Sequence, residues 1–335
     1  MKAIVITAYG GPEVLSVAEL PDPVPAAGEV LIRVRAFGLN HAETYMRSGA
    51  WGTVAQVTGI ECAGTVQADP NGRLAAGTPV IAILGGMGRT RNGSYAELVT
   101  VPAGNVVPVS TALPWTDLVA LPEVYATAWA GLHQNLGLRP GQTVLVRGAT
   151  SALGQAAVNI AAEDGVTVIA TTRSAGQADL LRGIGAASVL IDDGALADQV
   201  VRLNLRVDGV FDLVGNSALR DSLRIARPGG RVCQLGFLGG LEPVADRRRS
   251  DKRPVQLLRQ RVRARHRELP AGRYPAAGND HQGGERAVPG QACEGVRLRG
   301  DRGGAPGDGA GPGRRKDGRR GELVTARGVR PAEAW

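Results

Sequence analysis

Aromatic residues and cysteines are scarce in this chain of 335 residues. Only 4% of the residues are Phe, Trp or Tyr, so aliphatic side chains must fill its cores, and 43% of the chain is hydrophobic. Three cysteines, an odd number, argue against a disulfide framework and fit a reducing compartment. No apolar run approaches the ~20 residues of a membrane span, and the N-terminus lacks the features of a secretory signal. We therefore expect a cytoplasmic protein that does not enter a membrane.

The net charge of +8 comes from one end of the chain. Residues 1–246 carry 17 Lys and Arg against 21 Asp and Glu, whereas residues 247–335 carry 22 against 10. A basic segment raises the question of nucleic-acid binding. Its aromatic residues are Tyr274 and Trp335, so no aromatic side chains are interleaved to stack on bases. We expect no specific nucleic-acid partner, and non-specific phosphate contacts at most.

Two secondary-structure patterns follow one another in residues 1–246. Up to about residue 100, alternating stretches such as GEVLIRVRAF predict β-strands separated by Gly, Pro and Asn. From about Trp115 the pattern is helical, and residues 143–237 alternate strand and helix. The last helix of that series is predicted over residues 217–230 and the last strand over 231–237. Repeated β-α units with short connections predict an α/β fold with a doubly wound parallel sheet.

The first turn of the βα series has the pattern of a dinucleotide site. VLVRGATSALG indicates a strand, a tight turn and a helix N-terminus, which together aim backbone N–H groups at a pyrophosphate. Ala149, Ser151 and Gly154 hold the three positions where glycines are usual. On the motif alone, an ordinary strand-to-helix turn is the alternative, but the place at the start of a βαβ series favours a cofactor. The predicted cofactor contacts in this turn are Ala149, Thr150, Ser151, Ala152, Leu153 and Gly154.

The end of the second strand indicates which dinucleotide binds. An NAD-selective site offers a carboxylate to the ribose 2′-hydroxyl roughly 20 residues after the turn. This chain has Arg173 there and no Asp or Glu, so a 2′-phosphate can pair with Arg173, with Ser174 as a further donor. The sequence favours NADP(H), although a solvated Arg173 fits the spacing as well. Four further predicted cofactor contacts follow the fourth and fifth strands: Gly215, Asn216, Gly236 and Phe237.

Six collinear segments of residues 1–246 carry a family resemblance: AFGLNHAETYMRSG, VTGIECAGTV, GSYAELVTVPA, LPEVYATAWAGL, LGLRPGQTVLVRGATSALGQAAV and TTRS. They resemble the zinc-independent quinone oxidoreductase branch of the medium-chain dehydrogenase/reductase superfamily. The resemblance implies a GroES-like β-rich catalytic domain over residues 1–120, a Rossmann NADP-binding domain over 121–246, and an active site in the cleft between them. It also implies quinone or enone substrates and a homodimer, which the unusual tail puts in doubt.

The resemblance also bears on metal and on thiol chemistry. Zinc-using relatives place a Cys before their first catalytic segment and a His in a Gly-His-Glu run, where this chain has Leu39–Asn40 and Gly59–Ile60–Glu61. A catalytic zinc needs three protein ligands, so we predict no metal. Cys62 has no basic neighbour in sequence to activate its thiol, so we predict a small buried side chain there.

Three further residues receive roles from the resemblance. Asn40 would contact the nicotinamide-ribose region, Tyr45 would line the pocket and could donate a hydrogen bond or a proton, and Thr127 would position the cofactor. From the residues alone, Asn40 fits a turn cap, Tyr45 a core aromatic and Thr127 helix packing. Asn40 and Tyr45 are the catalytic candidates.

The reaction that the resemblance implies is hydride transfer from NADPH to a quinone or to the β-carbon of an enone, with a proton arriving at the oxygen or the α-carbon. The protein's part is chiefly to hold the two reactants together. Two alternatives stay open. One is an alkenal or enoyl-thioester reductase on the same scaffold, and the other is a catalytically silent NADPH-binding remnant with a non-specific basic tail.

Residues 247–335 do not continue the resemblance. The segment is rich in Arg and Gly and keeps no period for long, which predicts a largely irregular or disordered tail. The codons of residues 276–309 and 314–320, read one nucleotide later, permit sequences that look like the normal C-terminal end of the family. We hypothesise that the tail is frame-shifted and the Rossmann domain incomplete. The nucleotide sequence at the Asp246–Arg247 codons tests this hypothesis.

Overall fold

The computed structural model of the chain describes residues 1–244 and the strands Gln256–Arg259 and Val324–Thr325. The chain divides into two compact units. Unit 1 contains Met1–Val119 and the strand Val324–Thr325, and unit 2 runs from Ala120 and includes the strand Gln256–Arg259. None of the helices in the described ranges is both long enough and apolar enough to cross a membrane.

Unit 1 consists mostly of strands, in keeping with its alternating sequence. Its first seven strands are β1 (Lys2–Ile6), β2 (Leu15–Glu19), β3 (Glu29–Phe37), β4 (Glu61–Ala68), β5 (Pro79–Ile83), β6 (Leu98–Pro102) and β7 (Val106–Pro108). Its α-helices are α1 (His41–Arg47) and α2 (Trp115–Leu118). Two short 3-10 helices cover Pro12–Val14 and Ala103–Asn105.

The strand β3 is the centre of the main sheet of unit 1. It pairs in antiparallel fashion with β4 on one side and β6 on the other, and β4 continues through β5 to β7. Val30, Ile32 and Val34 of β3 point into the core. Arg33 and Arg35, which alternate with the last of these, are exposed. Each fully buried aliphatic side chain of this kind contributes about 1.5–3 kcal/mol, which fixes the register of the sheet.

Unit 2 alternates strands with helices. Its strands are β8 (Thr143–Arg147), β9 (Thr167–Thr172), β10 (Ser188–Ile191), β11 (Val207–Asp212), β12 (Ala226–Gln234) and β13 (Gln256–Arg259). Its α-helices are α3 (Pro122–Trp129), α4 (Ala152–Glu163), α5 (Ala178–Gly183), α6 (Leu196–Arg202) and α7 (Leu219–Ile225). A π-helical segment, Ala130–Leu136, continues α3, and a 3-10 turn covers Ala175–Gln177.

The strands of unit 2 form one parallel sheet in the order β10-β9-β8-β11-β12-β13. This confirms the predicted doubly wound α/β fold. The strand order reverses between β8 and β11, and such a switch point is where open α/β sheets bind ligands at their carboxyl edge.

Two short strands lie in the predicted tail. The sequence analysis expects the sheet of unit 2 to end before Asp246, whereas Gln256–Arg259 adds β13 in parallel beside β12. In unit 1, β14 (Val324–Thr325) pairs in parallel with β3. The remainder of the predicted tail, with the frameshift hypothesis, lies outside the described residues, and the domain boundaries stay a prediction.

Two hydrophobic clusters cover the two faces of the sheet in unit 2. Successive residues of a strand point to opposite faces, so Val144 and Val146 of β8 join the cluster that includes α4. Leu145 between them joins the cluster that includes α6 and α7. The strands are therefore buried on both faces, which explains their continuous apolar runs.

The helix before β12 ends earlier than predicted. The sequence analysis places a helix over residues 217–230, but α7 ends at Ile225 and β12 begins at Ala226, where the backbone is already extended (φ −65°, ψ 134°). Pro228 explains the difference, because proline has no N–H to donate and clashes with the preceding helical turn. The prediction over residues 226–230 was wrong.

Candidate functional site

The turn between β8 and α4 presents backbone N–H groups to solvent. Ser151 is the N-cap of α4: its hydroxyl accepts a hydrogen bond from the Gly154 N–H at 3.1 Å and donates one to the Gly148 carbonyl at 2.9 Å. Within residues 1–244, no acceptor pairs with the N–H groups of Ala152 and Leu153, which begin the helix. Free donors at the positive end of a helix form an anion site.

Close packing of α4 against this turn requires a glycine. A Cβ atom on Gly154 would lie 2.5 Å from the Gly148 carbonyl oxygen and 2.7 Å from the Ala149 Cα. Gly154 therefore fills the role of the third glycine of a dinucleotide turn. Ala149 is fully buried and its N–H donates to the Thr171 carbonyl at 3.2 Å, so this predicted contact residue uses its N–H within the protein.

The end of β9 is joined to the same turn. The Thr171 hydroxyl, which is buried, accepts a hydrogen bond from the Gly148 N–H at 3.3 Å. Just beyond it, the Thr172 hydroxyl accepts from the Ser174 N–H at 3.1 Å, which bends the chain sharply. β9 ends at Thr172, and the exposed residues Arg173 and Ser174 follow it, as the sequence analysis expects.

The loops after β11 and β12 pack closely on each other. One oxygen of Asp212, Oδ1, accepts hydrogen bonds from the N–H groups of Val214 at 2.8 Å and Gly215 at 2.9 Å. A Cβ atom on Gly215 would lie 2.4 Å from the Gly236 carbonyl oxygen, and Gly215 has a left-handed φ of 82°. The structure therefore brings Gly215 and Gly236 together. Phe237, the next residue, is half-buried.

Asn216 fixes the chain beyond β12. Its Nδ2 donates to the Glu242 carbonyl at 2.8 Å and to the Leu241 carbonyl at 3.3 Å, and its Oδ1 accepts from Nε2 of Gln234 at 3.1 Å. The side chain of this predicted cofactor contact is thus engaged within the protein.

A buried polar network, which the sequence analysis missed, underlies these loops. Arg147 is 2% exposed and forms ion pairs with Asp192 at 2.8 Å and Asp221 at 3.0 Å. Asp212 and Gln234 are also buried, and Asp212 Oδ2 and Gln234 Oε1 have no hydrogen-bond partner in the described part of the chain. Burial raises the pKa of Asp212, against its backbone hydrogen bonds and the nearby Arg147. A charged residue inside an apolar strand is the sequence signal that could have revealed Arg147.

Thr127 lies on α3, and its hydroxyl donates to Oε1 of Glu123 at 2.9 Å. Glu123 is half-buried, and burial raises its pKa. The structure thus shows what orients the Thr127 hydroxyl, and its contact with the cofactor stays a prediction.

In unit 1, Asn40 is the N-cap of α1, as its alternative interpretation predicts. The Asn40 N–H donates to Oε2 of Glu43 at 2.5 Å, the arrangement of a capping box. Its side-chain Nδ2 donates to Oε1 of Glu61 at 3.0 Å. The capping box and the hydrogen bond to Glu61 hold the Asn40 amide in one orientation, and its contact with a nicotinamide ribose stays a prediction.

Two buried carboxylates surround Asn40. Glu43 is 5% exposed and accepts the Ile60 N–H at 3.1 Å; burial raises its pKa to about 7, although hydrogen bonds oppose the shift. Glu61 is 3% exposed. The buried Tyr95 hydroxyl stays protonated, because burial and both carboxylates raise its pKa. The sequence analysis did not predict this cluster.

Tyr45 is half-buried on α1, so it is not a full core residue. Burial raises the pKa of its hydroxyl, so that it remains a proton donor at neutral pH. Its ring centroid lies 5.9 Å from that of Trp51, and the guanidinium of Arg89 lies over Trp51 at 5.1 Å from the ring centroid.

The donor set of this region does not fit a catalytic zinc. Leu39 and Ile60 are aliphatic and the Asn40 amide is engaged with Glu61, so the positions that the sequence analysis compares with the Cys and the His of zinc-using relatives offer neither a thiolate nor an imidazole. In the described ranges, no three His, Cys, Asp or Glu side chains cluster closely enough to hold a metal. Cys62 is fully buried, as predicted, and burial raises its pKa to about 12.

Two family profiles match the chain. The profile described as "Alcohol dehydrogenase GroES-like domain" matches residues 26–111, and the one described as "Zinc-binding dehydrogenase" matches residues 152–267. The second match extends past Asp246. The quinone oxidoreductase of Mus musculus is 30% identical over 253 residues, which cover 72% of this chain and 75% of that protein.

Solved structures with the same fold include the quinone oxidoreductase of Pseudomonas syringae pv. Tomato DC3000. It is 27% identical, with a TM-score of 0.69, and the match covers 77% of this chain and 80% of that one. A mycobacterial protein solved in complex with NADPH is 31% identical, with a TM-score of 0.68 and the same coverage of 77% and 80%.

Proposed function

We propose that this chain, which belongs to the medium-chain dehydrogenase/reductase superfamily, is an NADPH-dependent reductase of quinones and other α,β-unsaturated carbonyls that works without zinc. That it is an oxidoreductase follows from the family. The observation that carries the proposal is the joined pair of the β8–α4 turn and the end of β9. The first offers N–H groups to a pyrophosphate, and the second offers Arg173 in the stretch TTRS, whose sequence contains no Asp or Glu.

NADPH is favoured over NADH by the chemistry at the end of β9. A guanidinium and a hydroxyl suit a 2′-phosphate, whereas a site for NAD needs a carboxylate for the ribose hydroxyl. Asp192, which lies near this edge, is taken up by Arg147 through two hydrogen bonds of 2.8 and 3.0 Å. Asp192 is therefore not available as the carboxylate that a site for NAD needs. The mycobacterial structure in complex with NADPH supports the same choice.

The residues of this chain bind NADPH and orient it. The N–H groups of Ala152 and Leu153 bind the pyrophosphate, and Arg173 with Ser174 binds the 2′-phosphate. Bound NADPH supplies the hydride. Asn40, held by Glu61, contacts the nicotinamide ribose.

Tyr45 interacts with the acceptor. Its raised pKa keeps the phenol protonated, so it donates a hydrogen bond to the acceptor oxygen and lines the pocket with its ring. A quinone needs little further acid catalysis. This suits a site in which the strongest nearby acids, Glu43 and Glu61, are buried.

Calorimetry with the full chain tests the cofactor assignment. We expect tighter binding of NADPH than of NADH. The Arg173→Ala variant loses about tenfold or more in NADPH affinity, because a charge-assisted hydrogen bond is worth ~1.5–3 kcal/mol, while NADH affinity stays unchanged. Arg73→Ala, which removes an exposed arginine in unit 1, is the matched control. Equal affinities for the two cofactors in the wild type would refute the assignment.

Turnover separates the remaining alternatives. NADPH oxidation is followed with a naphthoquinone, with a small enone and with an enoyl thioester. We expect the quinone and the enone to be reduced. Reduction of the thioester alone would favour the alkenal or enoyl-thioester reductase. NADPH binding with no turnover of any acceptor would favour a catalytically silent remnant.

A further inference from the structure

Arg89, an arginine with no carboxylate partner among the described residues, lies over the ring of Trp51, which contacts the ring of the proposed pocket residue Tyr45. The Arg89 guanidinium lies 5.1 Å from the centroid of Trp51, and Trp51 in turn lies 5.9 Å from Tyr45. Nothing in the described part of the chain accepts a hydrogen bond from the Arg89 side chain or forms an ion pair with it. Arg91, two residues on, shows the contrast because it pairs with Glu29.

The contact with Trp51 leaves the Arg89 donors available. A cation–π contact uses the charge of the guanidinium and pairs none of its N–H groups with an acceptor atom. A planar fork of such donors matches the two oxygens of a carboxylate or the oxygens of a sulfonate. The half-buried position of Arg89 lowers the effective dielectric constant around it, so the charge acts more strongly there than on an open surface.

The loop that carries Arg89 is held in an unusual conformation. Leu84 has a left-handed φ of 57°, which is uncommon for a residue with a side chain. The Gly86 carbonyl accepts the N–H groups of Arg89 and Arg91 at 3.0 and 3.2 Å. The buried Met87 anchors the loop in the core. Strained backbone that is held in place in this way is typical of ligand sites.

The same loop is joined to the segment that carries Trp51. The Ala55 N–H donates to the Gly88 carbonyl at 3.4 Å, and the Val57 N–H donates to Oδ1 of Asn92 at 3.2 Å. These two hydrogen bonds fasten the segment that carries Arg89 to the segment that carries Trp51.

We propose that Arg89, with Trp51 and Tyr45, selects ring acceptors that carry a negative charge: quinones with a carboxylate or sulfonate substituent. The rings of Trp51 and Tyr45 contact the apolar face of the acceptor, and Arg89 binds its anionic group. This inference rests on the proposed function, because it names the substrate class of that site.

The test compares two acceptors in one enzyme. The full chain reduces 1,2-naphthoquinone and 1,2-naphthoquinone-4-sulfonate at saturating NADPH, and KM and kcat are measured for each. Arg89→Gln lowers kcat/KM for the sulfonate about tenfold, chiefly through KM, and changes the value for the neutral quinone less than about twofold. Arg89→Lys keeps the charge and loses the planar fork, so we expect an intermediate loss.

Two controls separate a direct contact from a general effect of charge. Arg73→Gln removes the same charge from an exposed turn of unit 1 and leaves both acceptors unchanged. Added salt weakens the sulfonate advantage of the wild type but not the value of the neutral quinone. If Arg89→Gln slows both acceptors equally, or Arg73→Gln reproduces its effect, the proposal is overturned.

A binding measurement keeps the proposal independent of turnover. Calorimetry with naphthalene-2-sulfonate and 2-naphthol compares an anionic and a neutral ring that accept no hydride. Tighter binding of the sulfonate that is lost in Arg89→Gln supports the subsite even if neither quinone is reduced, an outcome that refutes the proposed function alone. Reduction of the neutral quinone without any effect of Arg89 on the sulfonate refutes the subsite alone.

Discussion

The Arg147 guanidinium is buried in unit 2 at the end of β8, directly before the cofactor turn. It donates to Asp192 at 2.8 and 3.0 Å, to Asp221 at 3.0 Å and to the Ser222 hydroxyl at 3.1 Å. The perturbation is Arg147→Met, which keeps an unbranched chain of similar length and removes every donor. Both carboxylates then stay in place without their cation.

The size of the effect follows from the burial of the partners. The side chains of Asp192 and Asp221 are only 11% and 14% exposed, so water compensates them poorly. Removing one partner of a buried ion pair costs about 3–5 kcal/mol because the remaining charge is left uncompensated. We expect Arg147→Met to lower the free energy of unfolding by that amount, a large share of the ~5–15 kcal/mol typical of a domain.

Urea unfolding of the full chain, followed by far-UV circular dichroism, measures this loss. The matched control is Arg182→Met, which breaks the ion pair of Arg182 with Asp179 at 2.8 Å. Those two side chains are 56% and 97% exposed, so we expect a loss of only ~0–1 kcal/mol. Equal losses in the two variants, or an unchanged midpoint for Arg147→Met, would show that burial does not govern the strength of these pairs.

Four other variants test further features of the structure. Burial raises the pKa of Glu43 to about 7 from its ordinary 4.5, so the folded state keeps a proton that the unfolded state releases, and stability falls as the pH rises through this window. Glu43→Gln should abolish that fall in urea titrations across this pH range, and a slope as steep as that of the wild type would contradict it. Gly154→Ala forces α4 away from its turn, so we expect a loss of ~1–3 kcal/mol and weaker NADPH binding. Gly183→Ala, in open space on α5, should instead stabilise by ~0.5–1 kcal/mol. Asp212→Asn keeps an acceptor for the N–H groups of Val214 and Gly215 and removes the cost of burying a charge, so its unfolding midpoint at neutral pH should match or exceed that of the wild type; a large loss would show that Asp212 acts as an anion.

The parallel sheet and its cofactor turn could be predicted because local patterns specify them. Apolar strands such as Thr143–Arg147 alternate with amphipathic helices, and only a sheet covered on both faces buries both. Ser151 and Gly154 act within four residues of each other, so their roles as cap and close-packing glycine are visible in the sequence. The end of α7 was misplaced because helical periodicity outweighed the single Pro228.

The polar interior could not be predicted, because its partners are far apart in sequence. Asn40 meets Glu61 across 21 positions, and Arg147 meets Asp221 across 74. A local pattern shows only that each residue is polar, and polar residues are usually exposed. The stack of Arg89 on Trp51 is likewise formed by two loops that the sequence leaves separate.

Strand register explains how three of these polar residues act together. Arg147, Asp212 and Gln234 are direct partners on β8, β11 and β12, so their side chains lie in a row on one face of the sheet. Asp212 stands in the middle of the row: its Oδ1 accepts the N–H groups that hold the loop after β11, while its Oδ2, like Oε1 of Gln234, has no hydrogen-bond partner in the described part of the chain. Burial raises the pKa of Asp212, whereas its hydrogen bonds with the Gly215 N–H and with Ser222 and the nearby Arg147 act in the opposite direction. Asp212 accepts the N–H groups of Val214 and Gly215, and Gln234 donates to Asn216, whose amide holds the chain beyond β12, so the loops at the switch point are fastened to buried residues of the sheet.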